Sequence, residues 1–299
     1  MLGVSFIEQG SPEWVMMRRR VTATTLYDAA GLGGPRGFET FWNTIFGAPR
    51  DAIPRDFRQL LGRVWMPEPG RGSDTVATRY GHAMEAVAAD VLTDFGIPVQ
   101  LRGQTVVSPP GEEDWFMVSP DGYTQHENDY WLVEIKCPYS RWKGVPVAKP
   151  KFDHWLQVQV QLAACQPWAT AALLVYFVPP LVNEAGCIVA WKITRVPEIA
   201  REVLPRARVF ARGSVRPTYQ RASNLSDRLR KLVPGSYTLY RNLRLGSTAL
   251  GDTTTRRLVE VALRLKHDDL QASYPSLQGA QAAEAADEDA EQGSEGGDE

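Results

Sequence analysis

The sequence contains little cysteine and no apolar run long enough to cross a bilayer. Its 299 residues include three cysteines, Cys137, Cys165 and Cys187, without paired spacing. This odd, unpaired set argues against a disulfide framework, and it is too small for a four-cysteine iron–sulfur cluster. The longest apolar stretch, residues 169–180, is too short for a transmembrane helix, and no signal peptide is apparent. We therefore expect a protein of a reducing compartment that has no membrane partner.

Charge is distributed unevenly along the chain. The 33 Lys and Arg residues nearly balance 35 Asp and Glu residues, for a formal net charge of −2. Eight acidic residues and no basic one lie in residues 284–299, so the rest of the chain carries about +6. Such a charge suits a polyanionic partner, although it is also common in proteins that have none. The acidic tail is expected to keep the protein soluble; the alternatives are electrostatic mimicry of DNA and recruitment of a basic partner.

Hydrophobic periodicity predicts an α/β fold in which a mixed central β-sheet is flanked by helices. Residues 1–62 are expected to be mostly helical, and the polar residues 125–129 are expected to form a turn. Gly96 is predicted to end the helix that precedes the first predicted strands. Helices are predicted over residues 78–95, 152–165 and 197–212, and strands over residues 105–108, 115–118, 131–136, 171–178 and 187–194.

Changes in composition divide the chain into three parts. Residues 1–212 contain the alternating helices and strands and are predicted to form the core domain. Residues 213–278 are richer in Arg and Leu and lack a clean apolar period until their last third, so they are expected to form a basic, helical appendage. Residues 279–299 consist largely of Ala, Glu, Asp and Gly and are expected to be disordered, because they cannot bury enough apolar surface.

The residues with the clearest chemical meaning are two acidic side chains and one lysine. The segment Ser119–Gly122 is followed, after eleven residues, by Glu134–Lys136. Glu134 and Lys136 alternate on a predicted strand, so their side chains point to the same face. Asp121 ends the preceding predicted strand, and a hairpin return would bring it close to Glu134. Charges at this position need partners or a metal ion, because burying them alone is costly.

Two carboxylates and a lysine can hold Mg²⁺ against a phosphodiester. Mg²⁺ prefers oxygen ligands, which Asp121, Glu134 and the carbonyl of Ile135 would supply. The ion would polarise the phosphate and lower the pKa of an attacking water, while Lys136 would orient that water or neutralise charge on the phosphate. A second ion would need a further carboxylate, and Glu85 on the preceding helix is the best candidate. From these residues alone, an ordinary ion pair between Glu134 and Lys136 on an exposed strand is the alternative.

Further motifs extend this pattern on both sides. In chain order, the motifs are Trp14 with Arg18 and Thr24, then Tyr80–Glu85, Ser119–Gly122, Glu134–Pro138 and Gln157–Gln159. Together they resemble the lambda-exonuclease/YqaJ-type viral recombinases, a family of the PD-(D/E)xK nuclease superfamily to which the herpesvirus alkaline nucleases are related. The resemblance covers about residues 11–195. Thr24 stands where the family usually has serine, and it keeps the hydroxyl group.

The resemblance implies a restriction-endonuclease-like core and a role for each matching residue. Mg²⁺ would be the cofactor, with Mn²⁺ as a substitute, and its ligands would be Asp121, Glu134, the Ile135 carbonyl and Glu85. The catalytic residues would be Lys136, Glu134, Asp121, Glu85 and Gln157. The 5′-phosphate of a DNA strand would contact Arg18 and Thr24.

The resemblance also implies a function, that of a Mg²⁺-dependent 5′-to-3′ exonuclease on linear double-stranded DNA. It would leave 3′ single-stranded overhangs for a single-strand annealing protein during viral or phage recombination, and it would form a ring trimer around DNA. Its location would be the cytoplasm of a bacterial host, or the nucleus of a eukaryotic one. The alternatives are an endonuclease or an RNA-degrading nuclease of the same fold, and a catalytically silent protein that binds DNA ends.

Three polar residues lie near the motifs without belonging to the predicted set of catalytic residues and metal ligands. Gln161 shares a helix face with Gln157, so it either supports the site or lies on the surface. His82 and His154 flank motif positions, and both are expected to be structural because Mg²⁺ prefers oxygen ligands.

Overall fold

The computed structural model covers the segments that carry most of the predicted motifs. It describes residues 5–8, 21–32, 76–100, 102, 104–107, 116–138, 145, 148–166, 168–180, 185–212, 223–246 and 254. Trp14, Arg18 and the acidic tail at residues 279–299 lie outside the described residues. Within the described part of the chain, no helix combines the length and the apolar character needed to cross a membrane.

Strands and helices are interspersed along the chain, as predicted for an α/β fold. The strands are β1 (Ser5–Glu8), β2 (Val21–Thr22), β3 (Gln104–Val107), β4 (Phe116–Val118), β5 (Gly122–His126), β6 (Asp129–Lys136), β7 (Ala169–Val178), β8 (Gly186–Thr194) and β9 (Tyr237–Leu245). The helices are α1 (Leu26–Ala29), α2 (Val76–Asp94), α3 (Phe152–Ala164), α4 (Leu204–Arg212) and α5 (Ser223–Leu232). A π-helical segment, Ile199–Val203, leads into α4, and a 3-10 turn, Val233–Gly235, follows α5.

The described strands form two sheets. The larger sheet has the strand order β5–β6–β7–β8–β9. β6 and β7 run parallel and the other neighbours are antiparallel, so this sheet is mixed. α3 lies in the connection between β6 and β7, because parallel strands need a crossover segment. The smaller sheet has the order β1–β3–β4–β2.

The larger sheet carries an apolar core on each face. Leu132 of β6 belongs to one core together with Trp155 of α3. Val133 and Ile135 point to the other face and belong to a second core with Val87 of α2. Strand β6 is therefore covered on both faces, as its nearly continuous apolar run indicates. The predicted fold class, a mixed central sheet flanked by helices, is confirmed.

The end of α2 shows how the local sequence fixes one boundary. Gly96 has a φ of 80°, a left-handed conformation that glycine adopts without a steric penalty. The amide of Ile97 then donates to the carbonyl of Leu92 at 2.8 Å, which closes the helix. The predicted helix end at Gly96 is confirmed.

Strand β5 corrects the predicted turn over residues 125–129. The last pair of the β5–β6 hairpin is His126 with Asp129, so the turn consists of Glu127 and Asn128. Glu127 has a φ of 56°, in the left-handed region. The predicted turn is therefore confirmed at residues 127–128 and wrong for Gln125, His126 and Asp129, which pair in the hairpin. This end of the hairpin is exposed, and its polar residues lack the apolar alternation that marks a half-buried strand.

The described residues of the N-terminal region, 5–8 and 21–32, are less helical than predicted for residues 1–62. The described residues there form the strands β1 and β2 and the single-turn helix α1. Ser5 pairs with Val107, and Val21 pairs with Phe116. These partners lie far away in sequence, so local periodicity carries little information about the short strands. The other residues of the predicted N-terminal helical region lie outside the described residues.

Strand β9 lies beyond the predicted core domain, yet it forms an edge of the larger sheet by pairing with β8. Ser236, just before β9, accepts a buried hydrogen bond of 2.8 Å from Trp155 Nε1 of α3. The predicted boundary at residue 212 therefore does not separate the sheet from the segment that follows. Most side chains of β9 are at least partly exposed, which explains why the sequence shows no clean apolar period there.

Strand β5 begins where the chain has no room for a side chain. A Cβ atom on Gly122 would lie 2.5 Å from Val99 Cγ1 and 2.9 Å from the carbonyl oxygen of Gln100. The same segment is joined to β5 by backbone hydrogen bonds between Gln100 and Tyr123. Gly122 therefore allows the chain that follows α2 to pack against β5, directly beside Asp121.

We predict that Gly122→Ala lowers the free energy of unfolding by about 1–3 kcal/mol, the usual effect of overpacking. The Gln100 carbonyl belongs to the backbone and cannot rotate away from a new methyl group. Gly81→Ala in α2 is the matched control, because a Cβ there meets nothing within 4 Å in the described region and should stabilise the helix by up to about 1 kcal/mol. Urea denaturation measures both effects, and equal stability of Gly122→Ala and the unsubstituted protein would contradict the close packing.

Candidate active site

Glu134 lies at the centre of the candidate site, on β6 between β5 and β7. It is only 2% exposed. Lys136 Nζ and Gln157 Nε2 each lie 2.5 Å from its Oε1, and Gln161 Nε2 lies 2.7 Å from its Oε2. A buried carboxylate needs such donors, because an uncompensated charge in the interior is costly.

Asp121 precedes β5 and lies in register with Glu134, because its neighbour Gly122 pairs with Val133. Its Oδ2 accepts a hydrogen bond of 2.6 Å from the amide of Ile135. The structure thus brings the two acidic residues together, but by another route than predicted. The preceding strand, β4, belongs to the smaller sheet, and the hairpin that aligns Asp121 with Glu134 consists of β5 and β6.

The surroundings of Asp121 oppose its ionisation. Burial, and then the carboxylates of Glu134 and Glu85, raise the pKa of Asp121 well above its ordinary value of 3.8, although Lys136 and the amide of Ile135 act in the opposite direction. Glu85 belongs to α2, so this electrostatic interaction links the helix to the two strands. Added positive charge at this point would favour the ionised form of Asp121.

Lys136 is held in its protonated form. Burial by itself would lower the pKa of its ammonium group, but Glu134, Asp121 and Glu85 outweigh burial and raise this pKa to about 12. Lys136 therefore carries a positive charge at neutral pH. Such a group suits the stabilisation of negative charge on a phosphate better than the removal of a proton.

Helix α3 contributes donors to Glu134 from one of its faces. Gln157 and Gln161 are four residues apart, so they lie one above the other on that face. Gln159 between them serves another purpose, because its Nε2 donates to the carbonyl of Thr194 at 2.7 Å and its Oε1 accepts from the amide of Val196 at 2.8 Å. The alternating glutamines therefore divide into two residues of the site and one that anchors α3 to the end of β8.

His154 lies at the beginning of α3, close to Lys136. Its Nδ1 shares a hydrogen bond of 2.9 Å with the hydroxyl of Tyr176, which pairs with Lys136 across β6 and β7. Burial, and then the positive charge of Lys136, lower the pKa of His154 to about 4. His154 is therefore neutral at pH 7 and tied to β7, which fits the structural role expected for it. The side chain of His82 lies outside the described residues.

The donor atoms of the site suit a hard divalent cation. Asp121, Glu134 and the carbonyl of Ile135 offer oxygen, and Mg²⁺ commonly uses one or two carboxylates together with water and phosphate. Among the described residues, no group of three or more His, Cys, Asp or Glu side chains forms a ready metal cage. Mg²⁺ rarely uses such all-protein cages. The raised pKa of Asp121 marks a place where a cation would relieve repulsion between carboxylates.

The predicted phosphate contacts lie only partly in the described region. Thr24 is exposed in the turn between β2 and α1, so its hydroxyl is accessible. The turn is fixed by its neighbours, since the amide of Thr22 donates to Thr25 Oγ1 at 2.9 Å and the amide of Thr25 donates to Thr22 Oγ1 at 3.2 Å. Arg18 lies outside the described residues.

Two residues of the site were not assigned from the sequence. Gln161 was left open between a supporting role and the surface, and its spacing from Gln157 was the available signal. Its burial depends on how α3 packs against β6, which periodicity does not specify. Tyr176 was not considered, because its position beside Lys136 comes from the pairing of β7 with β6.

We predict that Asp121→Asn raises the thermal midpoint of the metal-free protein at pH 7. A carboxyl group whose folded-state pKa is raised destabilises the fold above its unfolded pKa, so removing the charge should stabilise the folded state. Asn keeps an oxygen for the amide of Ile135. Thermal unfolding in EDTA measures the effect, and Asp129→Asn, at an exposed position of β6, is the control. A lower midpoint for Asp121→Asn would rule out this electrostatic penalty.

We predict that acid destabilises the protein in part through His154. Its folded-state pKa is lowered to about 4, so stability falls as pH drops below the unfolded value near 6.5, where the unfolded state binds the proton more readily. Between pH 7 and pH 5 the loss is about 2 kcal/mol. Urea denaturation at both pH values should show a smaller difference for His154→Gln; an unchanged difference would contradict the assignment.

Comparison with known proteins bears on the identity of the chain. The comparison with curated protein sequences gives no significant match. Among solved structures, the chain is similar to "Crystal Structure of LHK-Exo in complex with dAMP", with 19% sequence identity, a TM-score of 0.48, and coverage of 75% of this chain and 97% of that chain. The family model of the YqaJ-like viral recombinase domain matches residues 13–166, more than half of the chain. The chain therefore belongs to the YqaJ-like viral recombinase family, as its sequence motifs indicated.

Proposed function

We propose that this chain is a divalent-cation-dependent deoxyribonuclease that degrades one strand of linear double-stranded DNA from a 5′ end. The observation that supports a nuclease is the convergence of Asp121, Glu134 and Lys136 at the end of β6, with Asp121 bonded to the amide of Ile135 and Lys136 bonded to Glu134. Membership in a family of viral recombinases supports a role in viral or phage recombination.

The cation would be held by oxygen atoms of Asp121, Glu134 and Ile135, and Glu85 would hold or orient a second one. When bound, Mg²⁺, or Mn²⁺ in its place, would polarise the phosphate and lower the pKa of the attacking water. Because Glu134 and Asp121 are fixed by hydrogen bonds before substrate arrives, little reorganisation would be needed to use them.

Lys136 would supply the fixed positive charge of the site. Its high pKa keeps it protonated, so its ammonium group would offset negative charge that develops on the phosphate oxygens. Gln157 contacts the same oxygen of Glu134 as Lys136 does. Its amide would therefore line the same part of the site and help to orient the attacking water or the phosphate.

Action from a DNA end would depend on the first motif of the chain. Arg18 and Thr24 would contact the 5′-phosphate, and Thr24 is exposed in a turn that is closed by hydrogen bonds between Thr22 and Thr25. Digestion from that end would leave a 3′ overhang, the substrate of a single-strand annealing protein. A ring trimer around the duplex would keep the enzyme on its DNA. The reaction would take place in the bacterial cytoplasm, or in the nucleus of a eukaryotic host.

A panel of labelled substrates tests this proposal. Linear duplexes with a 5′-phosphate or a blocked 5′ end, closed circular duplex and single-stranded RNA would be incubated with Mg²⁺, Mn²⁺ or EDTA. We expect Mg²⁺-dependent release of nucleotides from the strand with a free 5′-phosphate, and intact circles and RNA. Nicked circles would indicate an endonuclease and digested RNA an RNA-degrading nuclease. Binding of ends without digestion would indicate a silent end-binding protein.

We predict that Lys136→Ala abolishes cleavage, with a rate at least about 100-fold below that of the unsubstituted protein. The variant should still bind duplex DNA. The loss follows from removal of the positive charge beside the phosphate. Lys192→Ala is the matched control, because Lys192 Nζ lies 4.3 Å from the centre of the Trp131 ring, on the sheet face opposite to Glu134. Cleavage kinetics and a gel-shift assay separate the two steps. Digestion by Lys136→Ala at the unsubstituted rate would show that the site is wrongly assigned.

A further inference from the structure

Gln161 is a fully buried residue whose side-chain amide is only half satisfied. It is 0% exposed, and its Nε2 donates to Glu134 Oε2 at 2.7 Å. The amide nitrogen must face Glu134, because an ionised carboxylate only accepts hydrogen bonds. Its own Oε1 is buried and has no hydrogen-bond partner within the described structure. A buried acceptor without a partner is unfavourable for folding, so this glutamine fits a role toward Glu134 better than a role in packing.

The two oxygen atoms of Glu134 have different surroundings. Oε1 is contacted by Lys136 and Gln157, which are both partly exposed. Oε2 is contacted by the buried Gln161. Oε1 therefore lies on the accessible side of the carboxylate and Oε2 on the core side. A donor on the core side can hold the carboxylate in place without occupying the oxygen that faces a ligand.

We infer that Gln161 is a positioning residue that fixes the Glu134 carboxylate through Oε2 and so presents Oε1 to a divalent cation. This inference rests on the cation-dependent activity proposed above and assigns a residue to it. Outer partners that hold a metal ligand in place typically change metal affinity by about 10- to 100-fold when they are removed. Gln161 would act in this way through Glu134, without touching the cation or the DNA.

The helix itself offers a matched control. Gln159 is also buried, lies on the same helix and makes two hydrogen bonds, but its partners are the backbone of Thr194 and Val196. Removing either glutamine takes a buried amide out of α3, and Gln159 makes two hydrogen bonds where Gln161 makes one, so Gln159→Met shows how far a general disturbance of the helix alone affects cation binding. A loss of cation affinity in Gln161→Met with little loss in Gln159→Met would separate positioning of Glu134 from a general structural effect.

The experiment measures Mn²⁺ binding to the full-length, DNA-free protein by electron paramagnetic resonance, with thermal unfolding as a check on folding. Asp121→Asn defines the signal that comes from the site, because acidic residues of the tail bind cations as well. We expect Gln161→Met to weaken Mn²⁺ binding about tenfold or more, and Gln159→Met to keep the affinity of the unsubstituted protein. In cleavage assays, Gln161→Met should need more Mg²⁺ for half-maximal rate while its KM for DNA is unchanged.

A second variant covers the case in which Gln161→Met does not fold. Gln161→Asn keeps the amide but shortens its reach, so it should weaken Mn²⁺ binding as well. Unchanged Mn²⁺ affinity in either folded Gln161 variant, or an equal loss in Gln159→Met, would overturn the positioning role while leaving the proposed nuclease intact. If Asp121→Asn binds as much Mn²⁺ as the unsubstituted protein does, the proposed cation site is wrong, and the role of Gln161 is wrong with it.

Discussion

The burial of one carboxylate, that of Glu134, is the constraint on which the rest of the site depends. A charge that is only 2% exposed on an interior strand is tolerated only with donors around it. One donor, Lys136, comes from the same strand, and Gln157 and Gln161 come from the helix that crosses over to β7. The crossover connection between β6 and β7 thus places α3 where its glutamines can donate hydrogen bonds to Glu134.

Burying these polar groups together also has unfavourable consequences for the stability of the fold. The pKa of Asp121 is raised by burial and by the neighbouring carboxylates, and Gln161 retains a buried oxygen without a partner in the described region. Contacts elsewhere hold the helix in place, among them Gln159 on the end of β8 and Trp155 on Ser236. Residues that sacrifice stability in this way are typical of functional sites.

The sequence predicted long, strongly periodic elements better than short or exposed ones. Helices α2 and α3 and strand β6 have clear apolar patterns, because each buries a continuous face against a core. The last two residues of strand β5 were taken for part of a turn and β9 for part of an appendage, because both segments carry polar residues on exposed parts of the sheet. Strands β1 and β2 pair with β3 and β4 over long sequence separations, which no local pattern encodes.

For the site, the sequence by itself determined which chemical groups are available. The spacing of Glu134 and Lys136 on one strand places both on one face, and the motif order points to Asp121, Glu85 and Gln157 as their companions. Only the tertiary structure decided how these groups meet. Pairing of β5 with β6 aligns Asp121 with Glu134, and packing of α3 on the sheet buries Gln161 against Glu134 Oε2. Both outcomes depend on contacts between segments that are far apart in the chain. The free energy of such contacts cannot be inferred from the pattern of residues within one segment.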